Sequence, residues 1–230
     1  MLSCKNLALS VRNADGTCKQ LFSELSFTAH PGEIMMVLGK NGTGKSTLLK
    51  TLVGHVPAQC GSIRIFDREL AHFSKSELAQ IFAFVLQDNE RGTIREFSVE
   101  ENLCFALHKG TRLSLLRPAV SQKNQEKIST FLQAVAPVFR ERLSQKAGSL
   151  SGGQRQMLSI LMNILSDAKI FLLDEPTAAL DDTTAEEIMQ ELQNWVRERK
   201  LIALMVSHDL VLVERYGDRI LDLNSPTAAP

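Results

Sequence analysis

Short apolar runs separated by longer stretches with helical periodicity are the main pattern along this chain of 230 residues. The runs at residues 34–38, 82–86, 170–173 and 201–206 are predicted strands. Continuous apolar runs that alternate with helices are typical of a parallel sheet covered on both faces. Alternating Leu7, Leu9 and Val11 predict a further, half-buried strand near the N-terminus. The pattern therefore predicts an α/β fold in one large domain, or in a domain with a helical insertion.

Polar residues suited to binding a nucleotide and its metal follow each of the four runs. They are Gly39, Gln87, Asp174, Glu175 and His208. In open parallel sheets, ligands bind beyond the carboxyl ends of the strands. We therefore expect these residues to meet at one edge of the sheet.

The segment 39–47 has the spacing of a phosphate-binding loop: glycine, four residues, then glycine, lysine and serine. It lies between a predicted strand and a helix predicted from Lys45 to about His55, which is the context that this loop requires. Glycines allow backbone N–H groups to surround phosphates, and the helix N-terminus adds positive potential. Lys45 would reach the outer phosphates, and the Ser46 hydroxyl would hold Mg²⁺. The predicted nucleotide-binding residues here are Gly39, Asn41, Gly42, Thr43, Gly44, Lys45, Ser46 and Thr47.

Two carboxylates end the third run. In nucleoside triphosphatases with this loop, an aspartate at the position of Asp174 helps to hold Mg²⁺. Glu175, offset by one residue, can orient a water molecule for attack on the γ-phosphate, and His208 can hydrogen-bond that phosphate or the water. The alternative for the two carboxylates is that they simply bind a helix N-terminus. The alternative for His208 is a structural role.

A second helix preceded by glycines is predicted after Leu150. Its apolar face consists of Met157, Ile160, Leu161 and Ile164, and Ser151 is a good N-cap. The cap and the glycines make a second anion-binding helix start. Because one nucleotide needs one cradle per chain, this helix suggests a clamp supplied to another protomer in a two-fold dimer. The alternative is an ordinary serine-capped helix.

The charge balance and the hydropathy exclude several classes of protein. Lysine plus arginine and aspartate plus glutamate both total 26, so the net charge is zero and nucleic acid is not an expected partner. We expect neither a transmembrane helix nor a signal peptide, because no apolar run is long enough. The 4 cysteines lack metal-type spacing, which favours reduced thiols in the cytosol.

Residues 150–154 match the signature motif of ATP-binding-cassette proteins, and the chain resembles their ATPase subunit from about Leu2 to Leu223. The resemblance implies ATP and Mg²⁺ as cofactors. It implies that Ser151, Gly152, Gly153 and Gln154 contact the nucleotide of a second cassette, and that Gln87 contacts the metal and the water. It further implies that Glu175 is the catalytic base, that His208 is the switch histidine, and that Asp181 lies in a loop crossing the dimer interface.

The resemblance also implies an architecture and partners. Residues 1–87 and 166–223 would form a nucleotide-binding core with an attached antiparallel sheet, and residues 88–165 a helical subdomain. The polar tail at 224–230 is expected to be disordered. The expected partners are a second cassette, identical or paired, and separate permease subunits at the cytoplasmic face of the inner membrane.

Two features bear on specificity. The family places an adenine-stacking aromatic residue after the first strand, but Ala8 to Leu21 contain none, so weak discrimination between ATP and GTP is expected. Residues 87–93, 98–103, 109–117 and 146–162 resemble a bacterial importer group that works with a permease and an extracytoplasmic binding protein, and some of its members take up aromatic amino acids. The basic stretch 109–117 is equally compatible with a solvated loop. The alternatives are an exporter or lipid-handling cassette, and a non-transport cassette.

Overall fold

The computed structural model describes residues 1–12, 16–85, 92–108, 120–178 and 180–224. The predictions for Gln87, for the basic stretch 109–117 and for the tail beyond Asn224 lie outside these ranges, as does Ala179. Within the described ranges, no helix is long and apolar enough to span a membrane.

Three strands come first in the chain, and strands and helices alternate strictly from Gly152 to Asp222. The strands are β1 (Leu2–Arg12), β2 (Cys18–Ala29), β3 (Ile34–Leu38), β4 (Cys60–Ile65), β5 (Arg68–Glu69), β6 (Phe82–Val85), β7 (Ile170–Asp174), β8 (Ile202–Val206) and β9 (Arg219–Asp222). The helices are α1 (Lys45–Leu52), α2 (Lys75–Ile81), α3 (Val99–Leu107), α4 (Gln122–Val135), α5 (Gly152–Leu165), α6 (Asp182–Glu198) and α7 (Leu210–Tyr216). Short 3₁₀ turns lie at Leu70–His72, Pro137–Arg142 and Ala147–Ser149.

The predicted parallel sheet is confirmed. Its five strands have the order β6-β7-β8-β3-β9, and neighbouring strands run parallel. The residues of β7 and β8 are buried throughout, as expected for strands covered on both faces. Asp174 pairs in register with Val206, and Val206 pairs with Val37. The carboxyl ends of β3, β7 and β8 therefore lie side by side, at the edge where the sequence predicts the site.

A second, antiparallel sheet has the order β2-β1-β4-β5. Leu7 and Leu9 are fully buried and Val11 is half-buried, as their alternation predicts. Leu9 packs in the same cluster as Leu48 of α1 and Val37 of β3. The first core thus lies between the antiparallel sheet, α1 and one face of the parallel sheet.

Two further apolar cores lie among the described residues. One covers the opposite face of the parallel sheet with residues of α5, α6 and α7, and the fully buried Phe171 belongs to it. The other lies among α3, α4 and α5 and includes Leu103, Ile128 and Leu158. This separate helical core is compatible with the predicted helical subdomain, whose boundaries stay a prediction.

Some element boundaries differ from the sequence expectation. Helix α1 ends at Leu52 rather than near His55, because Gly54 adopts a left-handed φ of 76°. The N–H groups of Gly54 and His55 then bond to Thr51 and Lys50, which caps the last carbonyls of the helix. Strand β8 begins one residue later than predicted, at Ile202.

The segment 92–98 is fixed against the chain that leads into α5. Asn102 is fully buried, accepts a 2.8 Å hydrogen bond from the backbone N–H of Ile94 and donates to the carbonyls of Ile94 and Ser98. The N–H groups of Ala147 and Gly148 donate to this segment over 2.9 Å each. The start of α5 is therefore held by contacts that are distant in sequence.

Candidate nucleotide-binding site

The phosphate loop takes its shape from three glycines. Gly39, Gly42 and Gly44 have φ values of 156°, 78° and 100°, a region that disfavours residues with a Cβ. Gly44 is also the N-cap of α1, and no acidic side chain lies in the first turn of that helix. A Cβ at Gly39 would lie 2.6 Å from the Thr43 hydroxyl. The loop is concave because side chains are absent at these glycines, and this shape fits the triphosphate of a nucleotide.

Lys45 lies inside the loop rather than on the surface. It is only 7% exposed, and its ammonium donates to the carbonyls of Gly39 over 2.7 Å and Lys40 over 3.2 Å. The Thr43 hydroxyl donates to the same Lys40 carbonyl over 3.0 Å. A lysine held by carbonyls at a helix N-terminus is positioned to pair with phosphate oxygens.

The remaining predicted residues of the loop lie in the same segment. Asn41 and Gly42 are exposed, whereas Ser46 and Thr47 in the first turn of α1 are half-buried. The Ser46 hydroxyl and the Asp174 carboxylate, which is 5% exposed at the end of β7, are hard oxygen donors. Mg²⁺ in nucleotide sites takes few protein oxygens and completes its shell with phosphates and water. The donor set therefore fits Mg²⁺, with Ser46 and Asp174 as the residues that would hold it.

Strand β2 lies against the phosphate loop, and the sequence analysis did not predict this contact. The Lys19 ammonium donates to the Gly42 carbonyl over 3.2 Å. A Cβ at Gly44 would lie 2.8 Å from a methyl of Leu21. These contacts join residues more than twenty positions apart, and no local pattern in the sequence signals them.

Glu175 and His208 are in direct contact. Nε2 of His208 lies 3.1 Å from Oε1 of Glu175, and the two side chains are 49% and 21% exposed, respectively. Glu175 has a φ of 51°, which is uncommon for a residue with a side chain, and its N–H donates to Val206 over 3.0 Å. A cavity of about 280 Å³ adjoins the pair and is lined in part by Thr177, Leu180 and Asp209. A carboxylate and an imidazole that face a cavity can orient water and hold its proton.

Ser151 caps α5 as predicted. Its hydroxyl accepts from the N–H of Gln154 over 3.2 Å, and the Gln154 side chain accepts from the N–H of Ser151 over 3.1 Å. Ser151 and Gly152 are exposed, and Gly153 and Gln154 are half-buried. A Cβ at Gly152 would have no neighbour within 4 Å. This helix start is therefore open to a second molecule.

Asp181 lies at the start of α6, where its carboxylate accepts from the N–H and the hydroxyl of Thr184 over 3.0 and 2.8 Å. The backbone hydrogen bond from Thr184 is the main reason why the pKa of Asp181 lies below its usual value. The structure thus gives Asp181 the role of a helix cap, and its contact with a second cassette stays a prediction.

The sequence analysis also missed Gln156. This side chain is 1% exposed, and its amide donates to the carbonyl of Pro176 over 2.9 Å. It precedes Ile160 by one helical turn and so lies on the predicted apolar face of α5. A polar residue within that face was the available signal.

Comparisons with known proteins agree on one family. A family model described as ABC transporter matches residues 22–178. The tyrosine transport ATP-binding protein of Clostridioides difficile is 37% identical over 97% of this chain and 88% of that protein. The lipoprotein-releasing system ATP-binding protein LolD of Pseudomonas syringae pv. tomato is 32% identical over 97% of this chain and 94% of that protein. By contrast, the chain spans less than half of two Bacillus subtilis relatives that are 30% identical to it.

A solved structure supports the same assignment. It is the dimeric, post-hydrolysis state of the ATP-binding cassette MJ0796 bound to ADP and Pi. The TM-score is 0.82 at 25% identity, over 96% of this chain and 94% of that one.

Proposed function

The chain belongs to the ABC transporter family and is an ATPase, and we propose that its ATP hydrolysis drives the uptake of a small organic solute, such as an amino acid, across a bacterial membrane. The observation that carries the substrate class is the 37% identity to a tyrosine transport ATP-binding protein over 97% of this chain. The match extends over 88% of that relative, so the two sequences are of similar length.

The residues of the loop would bind and orient ATP. Lys45 would move from the carbonyls of Gly39 and Lys40 to the outer phosphates, since a charged phosphate is a stronger acceptor than a neutral carbonyl. Ser46, Asp174 and Gln87 would hold Mg²⁺, which neutralises charge on the phosphates when it is bound. Phosphoryl transfer depends mainly on such positioning and charge stabilisation.

Glu175 would act as the base. Its Oε1 would accept a proton from the attacking water, and His208, 3.1 Å away, would orient the carboxylate and contact the γ-phosphate. Both side chains follow strands whose carboxyl ends are adjacent. The catalytic pair therefore lies at the same sheet edge as the phosphate loop that follows β3.

A second cassette would complete the site. The exposed helix start at Ser151, Gly152, Gly153 and Gln154 would close over ATP held by the loop of another molecule. The dimeric state of the structural relative MJ0796 supports this arrangement. Two ATP molecules would then lie between two cassettes, and hydrolysis would allow the dimer to reopen.

The closing and reopening of the cassette dimer would be transmitted to separate permease subunits. A groove of about 530 Å³ between the end of α1, α2 and β6 is a candidate docking surface, lined by Val53, Gly54, His55, Lys75, Leu78, Ala79, Phe82 and Phe84. The groove is lined in part by the end of α1, the helix that follows the phosphate loop, and by β6, the strand that precedes Gln87 in the sequence. A permease segment in this groove would therefore respond to nucleotide. An extracytoplasmic binding protein is proposed as the further partner.

A second candidate function is export or lipid handling. It is favoured by the 32% identity to the lipoprotein-releasing protein LolD over 94% of that protein. The same ATPase would then act with a different permease.

Co-purification tests the proposal. Tagged Glu175→Gln chain is incubated with ATP and native membranes in detergent, and the retained proteins are identified. A multi-spanning permease supports a transport role, and an accompanying binding protein supports uptake. A permease without a binding protein, whose gene neighbours encode lipoprotein or lipid handling, supports the second candidate. A soluble partner without any membrane protein contradicts both.

A further inference from the structure

The buried amide of Gln156 joins two elements with different proposed tasks. Helix α5 is capped by Ser151, which is proposed to contact ATP on a second cassette. Gln156 lies on the same helix and donates over 2.9 Å to the carbonyl of Pro176, the residue after Glu175. Pro176 is itself buried. One hydrogen bond thus connects the helix that reaches the partner site with the turn that carries the proposed base.

The turn at Glu175 depends on such outside support. Glu175 has a φ of 51°, in the left-handed region that residues with a Cβ rarely adopt. Because Pro176 has no N–H, the peptide after Glu175 contributes only an acceptor. The Glu175 N–H is held by Val206, and the Glu175 carbonyl accepts from Ala178 over 3.3 Å. Unfavourable backbone geometry persists where surrounding contacts enforce it, and the amide of Gln156 is one of these contacts.

The hydrogen bond is not explained by its effect on stability. The Gln156 side-chain oxygen is buried and has no hydrogen-bond partner among the described residues. An unpaired buried polar atom costs more than one neutral hydrogen bond contributes. An apolar side chain of similar size would remove this orphaned oxygen and pack within the same helix face, but it would leave the buried Pro176 carbonyl without the donor from Gln156, so the two costs would largely offset each other. The amide is therefore more easily explained by the position that it imposes on Pro176.

We propose that Gln156 is a positioning residue that sets the Glu175 carboxylate and couples it to the orientation of helix α5. A shift of α5 on dimer closure would be transmitted through the amide to the Pro176 carbonyl and then to Glu175. The proposal rests on the proposed role of Glu175 as the base. The hydrogen bond described for Gln156 goes to the Pro176 carbonyl and not to the nucleotide loop or the Glu175 carboxylate, so its expected effect is on the rate of hydrolysis rather than on ATP affinity.

The first test compares Gln156→Met with Gln193→Met in the 230-residue chain. Gln193 is a matched control because its amide also donates to a main-chain carbonyl, that of Tyr216, over 3.5 Å, away from the site. Gln156→Met should lower kcat by roughly tenfold to a hundredfold, as expected for a misplaced catalytic group, with KM for ATP within about threefold of wild type. Its Tm should stay within about 3 °C of wild type, because removal of the orphaned oxygen offsets the loss of the hydrogen bond to the Pro176 carbonyl. Gln193→Met should leave kcat unchanged.

A double variant tests whether Gln156 acts through Glu175. In a Glu175→Gln background, adding Gln156→Met should change the residual single-turnover rate by less than about twofold, since residues that act as a unit are not additive. Gln156→Asn, which keeps the amide but shortens the side chain by one methylene, serves as a second single variant in case Gln156→Met does not fold. It should show the same loss of kcat.

The outcomes separate this inference from the proposed function. Wild-type kcat in a folded Gln156 variant overturns the inference, as does a loss of kcat accompanied by an equal rise in KM or a large fall in Tm. A full additional loss in the double variant also overturns it, because Gln156 would then act elsewhere. Wild-type turnover of Glu175→Gln alone instead contradicts the role of Glu175 and removes the premise. A selective kcat loss that disappears in the double variant supports the inference.

Discussion

Nε2 of His208 lies 3.1 Å from Oε1 of Glu175. The two residues are 33 positions apart in the sequence, and their pairing results from the parallel register of β7 and β8, in which Asp174 lies opposite Val206. The strand ends therefore bring a carboxylate and an imidazole to the edge of the sheet beside the phosphate loop.

Glu175→Gln should reduce ATP turnover by about 10²–10⁴-fold, because the amide cannot accept the proton of the attacking water. ATP binding should persist, and a dimer with bound ATP should accumulate. Steady-state phosphate release measures the first effect, and sedimentation with ATP measures the second. Glu187→Gln, an exposed change on α6, is the control. Unimpaired turnover in Glu175→Gln would exclude this residue as the base.

Ser151→Arg should prevent ATP-dependent dimerisation, because it adds bulk and charge at the exposed start of α5. It should leave nucleotide binding to the monomer largely intact. Ser74→Arg is a matched control, since Ser74 caps α2 with the same reciprocal hydrogen bonds. Loss of either cap costs about 1 kcal/mol, so any difference in dimerisation reports on the interface. Loss of monomer binding in Ser151→Arg would contradict a contact made only to a second cassette.

Gly44→Ala should abolish tight nucleotide binding. The new Cβ would occupy a φ of 100° and lie 2.8 Å from a methyl of Leu21, so the loop must change shape. Gly16→Ala is the control, because Gly16 has a φ of 84° but a Cβ added there would meet nothing within 4 Å. Both variants should lose about 1–2 kcal/mol of unfolding free energy from the left-handed conformation. Titration with a fluorescent ATP analogue should distinguish them, and equal affinities would contradict the assigned loop.

The contribution of Glu77 to stability should be lost at acid pH. Its carboxylate accepts from the Ser74 N–H and pairs with Arg68, and these contacts lower its pKa to about 2. A depressed pKa in the folded state stabilises the protein above the ordinary glutamate value, and the effect is lost as the pH falls towards 2. The Tm difference between wild type and Glu77→Gln should therefore be largest above about pH 5 and shrink below about pH 4. A difference that does not change over this range would contradict the assignment.

The ATPase should discriminate weakly between ATP and GTP. No aromatic residue lies between Ala8 and Leu21 to stack on the base, and the described contacts of β2 with the loop come from Lys19 and Leu21. These side chains face the loop backbone and provide no set of hydrogen-bond donors and acceptors that would distinguish adenine from guanine. We expect kcat/KM values for the two nucleotides within about tenfold, a difference of about 1.4 kcal/mol. A much larger preference for ATP would show that another part of the chain reads the base.

The sequence by itself determined the strands at the four apolar runs, the strand near the N-terminus, the phosphate loop and the N-cap of α5, because each is specified over a few adjacent residues. The glycines of the loop require their conformation locally, and Ser151 finds its partner in Gln154 three positions later. The apolar runs predict burial because a strand covered on both faces has no polar side. These local signals were also enough to place Asp174 and Glu175 at a strand end.

The tertiary structure alone decided which of these residues touch. The Glu175–His208 pair, the bond from Gln156 to Pro176, and the approach of Lys19 and Leu21 to the loop each join segments that are distant in the chain. Such contacts follow from strand register and helix packing, which depend on the summed burial of many side chains. No short stretch of sequence contains that sum, so the residues that support the turn at Glu175 become visible only in the folded molecule.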